Sequence, residues 1–155
     1  MGEDLFGGKT MMRSLLASAL SLACVSAFAQ MSPVGVWQTI NDETGKPQSE
    51  VTLVDAGGVI TGTVTKSLVP PSNEPNCVKC TDERKDKPKL GMEIIRGAKK
   101  SETQAVWEGG NILDPNNGTI YKLKMTPIDG GSKLEVRGFI GIALLGRTQT
   151  WVRIP

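Results

Sequence analysis

The run Val51-Thr52-Leu53-Val54-Asp55-Ala56-Gly57-Gly58-Val59-Ile60-Thr61-Gly62-Thr63-Val64-Thr65 decides the fold class. Val51, Leu53, Ile60, Gly62 and Val64 alternate with Thr52, Thr61, Thr63 and Thr65, and a period of two sends successive side chains to opposite faces of a sheet. Asp55-Ala56-Gly57-Gly58 supplies the glycines that a tight reversal needs. The run reads as a β-hairpin.

The same rhythm holds from Val34 onward. Residues 118–125 put Tyr121, Leu123 and Met125 on one face and Lys122 and Lys124 on the other, behind the turn signal Asn116-Asn117-Gly118. Residues 132–138 form another alternating run, entered through Asp129-Gly130-Gly131, and residues 147–154 form the last. Residues 140–145 are continuously apolar and too short for periodicity to separate a buried strand from a short helical turn. About eight to ten short strands without an amphipathic helix predict an all-β domain, a single antiparallel barrel or sandwich.

The front of the chain reads as a targeting segment. Met11-Met12-Arg13-Ser14 is a short basic region, Leu15 onward is apolar without charge, and Ala27-Phe28-Ala29 is an A-x-A site. The expectation is a signal helix at 11–29, cleavage after Ala29, and a periplasmic or secreted domain of residues 30–155. Residues 1–10 read as a leader ahead of the true start. Lipidation at Cys24 is the weaker alternative, because Ser21 stands where a branched apolar residue is wanted. No later stretch approaches the roughly 20 apolar residues of a spanning helix.

Composition then excludes several activities. The chain has no histidine, which removes the usual general base, the usual zinc ligand and every Ser-His or Cys-His nucleophile. With 18 basic and 16 acidic side chains the net charge is +2, too even for a nucleic-acid partner. Nothing calls for a metal or a cofactor, and the balance argues against an enzyme. After cleavage only Cys77 and Cys80 remain, in Cys-Val-Lys-Cys, and export makes a disulfide the default. They sit in a long Pro-rich loop, residues 67–91, which contains Pro70, Pro71, Pro75 and Pro88 and the charged run from Asp82 to Lys87. A tethered lid and a solvated loop with a local staple both fit that composition.

Glycines accompany the aromatic residues. Gly35-Val36-Trp37 opens the first strand, and Arg147, Gln149, Trp151 and Arg153 share one face of the last. This pairing is similar to the closure of lipocalin-type barrels, in which a late arginine lies across the indole of an opening G-x-W. It marks Gly35, Trp37, Arg147, Trp151 and Arg153 as closing residues, with one arginine expected against Trp37. In Asp114-Pro115-Asn116-Asn117-Gly118 the expected role is turn chemistry, with Asp114 bonding nearby backbone.

A broader resemblance rests on the opening Gly-x-Trp, on Pro88 to Gly91, on Trp107-Glu108-Gly109-Gly110-Asn111-Ile112-Leu113-Asp114-Pro115, on Gly118-Thr119-Ile120-Tyr121, and on Val136-Arg137-Gly138 leading to Gly146-Arg147-Thr148-Gln149-Thr150-Trp151. By these residues the chain resembles the exported bacterial family catalogued as domain of unknown function 2147. The resemblance implies a lipocalin-like β-barrel and carries over no catalytic residue. The functional expectation is a binding protein for a small, largely apolar molecule, with Trp107, Tyr121, Arg137 and Phe139 lining or gating the pocket and the 67–91 loop as lid. For Arg137, a partner within the protein such as Glu108 or Asp114 and a ligand anion are both open. The alternative is a structural or interaction protein of the cell envelope whose barrel is filled by its own side chains. The oligomeric state is not readable from the sequence.

Overall fold

A computed structural model describes residues 31–70 and 74–155 of the chain. The expected signal segment, the leader and Cys24 lie outside the described residues. Eight strands follow one another: β1 Gly35–Ile40, β2 Pro47–Asp55, β3 Val59–Ser67, β4 Glu93–Lys100, β5 Trp107–Asp114, β6 Thr119–Ile128, β7 Lys133–Phe139 and β8 Arg147–Ile154. Each pairs antiparallel with the next, and β8 returns to β1 through Val36 opposite Ile154 and Trp37 opposite Arg153, so the sheet closes on itself. The barrel needs no helix to cover an edge, because closure removes the edges.

Cross-strand partners share a face, so the register sorts inside from outside. Trp37 faces Val51, Trp107 faces Met125, Leu134 faces Trp151, and Val136 faces Gln149. These inward positions form the core, where Trp37, Val51, Leu53, Leu123, Met125, Leu134 and Trp151 are at most 1% exposed. Burying side chains of this size contributes about 1.5–3 kcal/mol each. The opening hairpin has the expected register, Val51 opposite Val64 and Leu53 opposite Gly62.

Two readings left open by the sequence are decided. Residues 140–145 take the short helical turn and not the buried strand. They leave the barrel, form a 3-10 turn at Ala143–Leu145, and stay exposed. Of the 67–91 loop, residues 74–91 lie as a stapled strap along the outer wall. Leu113 pairs with Ile120 on the outward register yet is 1% exposed, because the cysteine segment packs against the β5–β6 turn from outside.

That packing has identifiable causes. The Cys77–Cys80 disulfide is formed, and both cysteines are buried. Asn76 bridges to Pro88, and the amide of Cys77 donates to Lys87 O at 2.9 Å. Arg84 comes from the charged run, yet its side chain is buried. It donates to both carboxylate oxygens of Asp82 and to Glu93 O on β4 at 2.9 Å. A buried guanidinium with a carboxylate and a strand carbonyl as partners ties the loop to the wall.

The strap yields two expected results. Thiol titration of unfolded, unreduced protein will find no reactive sulfhydryl at Cys77 or Cys80, and two would refute the staple. The Cys77→Ala/Cys80→Ala variant will lose about 2 kcal/mol in urea unfolding, the loop-closure value for so short a ring. The second result concerns acid. The hydrogen bonds from Arg84 hold the Asp82 carboxyl down at about 2 against an ordinary 3.8, with burial acting in the opposite direction. A depressed folded pKa stabilises the fold above the unfolded value and loses that contribution as pH falls through about 2. Melting temperature will therefore fall between pH 4 and pH 2, and less steeply in Asp82→Asn; coincident slopes would show that the pair contributes nothing.

Candidate functional site at the open end of the barrel

The two ends of the barrel differ because β8 carries an inward-register arginine at each. At the end where β1 begins, Arg153 lies over the Trp37 ring, 4.2 Å from its centroid. It donates to Gly131 O at 2.6 Å, Val34 O at 2.7 Å and Ser32 O at 2.6 Å. The Trp37 indole N–H donates to Pro33 O at 2.7 Å. Burial lowers the Arg153 pKa from its ordinary value. The glycine of G-x-W is required here, since Gly35 has φ 139° and a Cβ on it would overlap the Arg153 guanidinium. Of the two candidate arginines, Arg153 closes this end.

Arg147 stands at the opposite rim. It pairs with Asp42 of the β1–β2 loop, and Gln149 donates to the same carboxylate at 3.1 Å. The Gln149 carbonyl in turn accepts from the Trp151 indole N–H at 3.2 Å. This relay covers the β8 and β1 side of the mouth. It was not foreseen, because Asp42 lies in an ordinary turn sequence far from residue 147.

On the other side of the mouth the inner-face side chains are less deeply buried. Ile112 and Tyr121 face each other across β5 and β6 on the inner register, and both are only partly buried. Gly138 lies beside them: a Cβ there would stand 3.3 Å from Tyr121 Cβ and 3.6 Å from Ile112 Cγ2. The Tyr121 hydroxyl accepts from Asn117 Nδ2 at 3.3 Å.

The structure divides the four expected ligand residues between two faces. Trp107 is buried among core side chains, with Lys100 Nζ 5.7 Å from its ring centroid. Tyr121 is at the mouth. Arg137 and Phe139 point outward, opposite Lys124 and Lys122 on β6. Arg137 finds its partners within the protein, though they are neither Glu108 nor Asp114. It donates to Ala143 O at 2.7 Å, Leu144 O at 3.1 Å and Thr148 Oγ1 at 2.7 Å, clamping the 140–146 loop to the outer wall. Behind the clamp is a groove of about 370 Å³ whose lining includes Lys124, Glu135 and Leu144. A shallower depression of about 750 Å³ lies at the β4–β5 hairpin and includes Gly109 and Glu108.

Turn residues do what their chemistry implies. Asp114 accepts from the Asn116 amide at 2.9 Å and from Asn117 Nδ2 at 3.0 Å, while the Gly118 amide donates to Asp114 O at 2.8 Å. With both carboxylate oxygens engaged, Asp114 is a turn residue. Gly110 packs so closely on β4 that a Cβ would overlap the backbone of residues 96–98. Among the described residues, no group of three or more metal-ligating side chains is assembled, and no helix is long and apolar enough to cross a membrane.

The geometry has a counterpart among solved structures. The fold is similar to that of protein HP1028 from the human pathogen Helicobacter pylori, described as belonging to the lipocalin family. The TM-score is 0.68 at 16% identity, over 81% of this chain and 84% of that one. The likeness is one of fold. No curated protein matches the chain by sequence. A family model described as "Uncharacterized protein conserved in bacteria (DUF2147)" matches residues 35–153, from the glycine beneath Arg153 to Arg153 itself. The chain belongs to the DUF2147 family, with a lipocalin-like eight-stranded barrel as its fold.

Proposed function

We propose that the protein is an exported, non-catalytic binding module that takes a small, largely apolar ligand at the open end of its barrel. One observation carries this reading: Arg153 and Trp37 lock one end, while Ile112 and Tyr121 leave inner-face apolar surface accessible at the other, with glycine at position 138. Eight-stranded barrels of this architecture are wide enough to hold one small ligand. Tyr121 supplies a flat apolar wall with a hydroxyl at its edge. Export rests on the signal-like residues 11–29.

Native mass spectrometry of protein purified from the bacterium that makes it tests the reading. The expected result is an adduct of one small molecule per chain, lost in Gly138→Leu, whose side chain would press against Tyr121 and Ile112 at the mouth. Protein that carries no adduct and binds no apolar fluorescent probe at the mouth would overturn it.

A second reading is favoured by a separate observation. The deeper interior is occupied by Trp37, Trp151, Met125 and Leu134, and both of those indole N–H groups are bonded within the protein. A barrel filled in this way suits an interaction protein of the cell envelope. The readings part on whether the mouth opens to an apolar cavity of about 300 Å³ or more.

A further inference from the structure

The loop after β7 gathers four of the most exposed large aliphatic side chains among the described residues into one short tip. Ile140 is 64% exposed, Ile142 60%, Leu144 83% and Leu145 77%. A tip of this kind opposes the hydrophobic effect unless something covers it. Its backbone is already provided for: Ala143 O and Leu144 O accept from Arg137, Gly141 O accepts from Lys122 Nζ at 3.4 Å, and Leu145 N donates to Ile142 O at 3.1 Å.

We propose that residues 140–145 dock the protein on an anionic phospholipid bilayer by inserting these four aliphatic side chains into the interface. Two features favour lipid over a protein partner. First, hydrocarbon admits backbone only when its polar groups are paired internally, and the carbonyls of Gly141, Ala143 and Leu144 are paired by Lys122 and Arg137 and that of Ile142 by the Leu145 amide. The tip holds no aromatic anchor of the kind that dominates protein interfaces. Second, the wall beneath it is cationic. Lys122 and Lys124 project outward from β6 beside the loop, and Arg137 lies between loop and wall. Of the acids nearby, Asp42 is neutralised by Arg147, and Glu135, two residues below Arg137 on β7 and opposite Thr126, shares the groove behind the clamp with Lys124 and Arg137, where the cations outnumber it. Aliphatic tips flanked by lysines bind by area plus attraction to anionic headgroups. The Arg137 clamp holds the tip ready, which reduces the ordering cost of insertion. The inference does not depend on the mouth holding a ligand.

Sedimentation with vesicles tests it, using the protein as its own cells produce it beside variants with the same N-terminus. Binding to phosphatidylglycerol vesicles is expected, weaker on pure phosphatidylcholine and weakened by salt. Leu144→Ser/Leu145→Ser will reduce it at least about tenfold, since one buried leucine accounts for that much. Both side chains are exposed, so the fold should persist, and unchanged circular dichroism confirms it. Ile142→Ser gives an independent measurement if the double variant does not fold. Lys122→Ala will lower affinity at low salt and not at high salt. Equal binding by wild type and loop variants, or no binding to anionic vesicles at low salt, overturns the proposal. Dimerisation of the free protein that the loop variants abolish would also overturn it, assigning the patch to a second copy.

Discussion

Trp37→Ala will destabilise the barrel by about 4 kcal/mol, inside the usual span for removing a buried indole, and lower the melting temperature by about 10 °C or more. The indole is fully buried, holds the Pro33 carbonyl through its N–H, and is the surface on which Arg153 lies. Without it the guanidinium keeps its three carbonyls but loses the ring. Arg153→Ala will cost about 2–3 kcal/mol, because hydrogen bonds from a charged donor contribute more than neutral ones. Those bonds tie three segments together: the chain before β1, the β6–β7 turn and β8. The two losses will not add. The double variant should fall short of their sum by about 1 kcal/mol, the value of a partly desolvated cation over an indole. Urea unfolding of all four proteins measures the cycle, and additivity within error would leave the stacking without energetic weight. Arg153→Lys should recover only part of the loss, since an ammonium cannot reproduce a planar fork with three carbonyls.

Gly118→Ala is the other substitution with a large expected cost, about 3 kcal/mol. Gly118 has φ 74°, a conformation that costs alanine about 1 kcal/mol. A Cβ there would also overlap the Lys79 carbonyl group and stand 2.8 Å from Cys80 N. These are backbone atoms in a disulfide-closed segment, so they cannot swing aside as a side chain would. The strap must lift from the β5–β6 turn, exposing Leu113 and loosening the hydrogen bond from Lys89 to Asn116. Limited proteolysis should cut the variant after Lys79 or Lys85 while the barrel remains intact. A melting temperature within about 2 °C of wild type would mean that the strap does not rest on this turn.

Much of the barrel is legible in the chain. Alternation of Val51, Leu53, Ile60 and Val64 with threonines places the hairpin, and Tyr121, Leu123 and Met125 place the inner face of β6. The inner face of β8 follows from Arg147, Gln149, Trp151 and Arg153. β4 and β5 are harder to see, because their pairing shifts register between Gly62 and Thr63 and between Glu108 and Asn111. Such irregularity breaks the period that sequence reading depends on. The candidate site is less legible than the fold. Tyr121 is visible by its register, whereas Arg84 looks like a solvated charge until Asp82 and Glu93 O are seen around it.

The sequence by itself determined the all-β class, the inward faces of the opening hairpin, β6 and β8, the turn at Asp114–Gly118 and the cysteine pair, each from interactions between near neighbours or from a two-residue period. The pairing of Trp37 with an arginine of the last strand came from the resemblance to lipocalin-type closure. The tertiary structure alone decided that Arg153 covers Trp37 while Arg147 meets Asp42, that the cysteine loop straps the outer wall, and that residues 140–145 stand in solvent. Those outcomes depend on strand stagger and on which loops meet at each end of a closed barrel. A periodic pattern states which face a side chain takes, and only the three-dimensional register states what waits for it there.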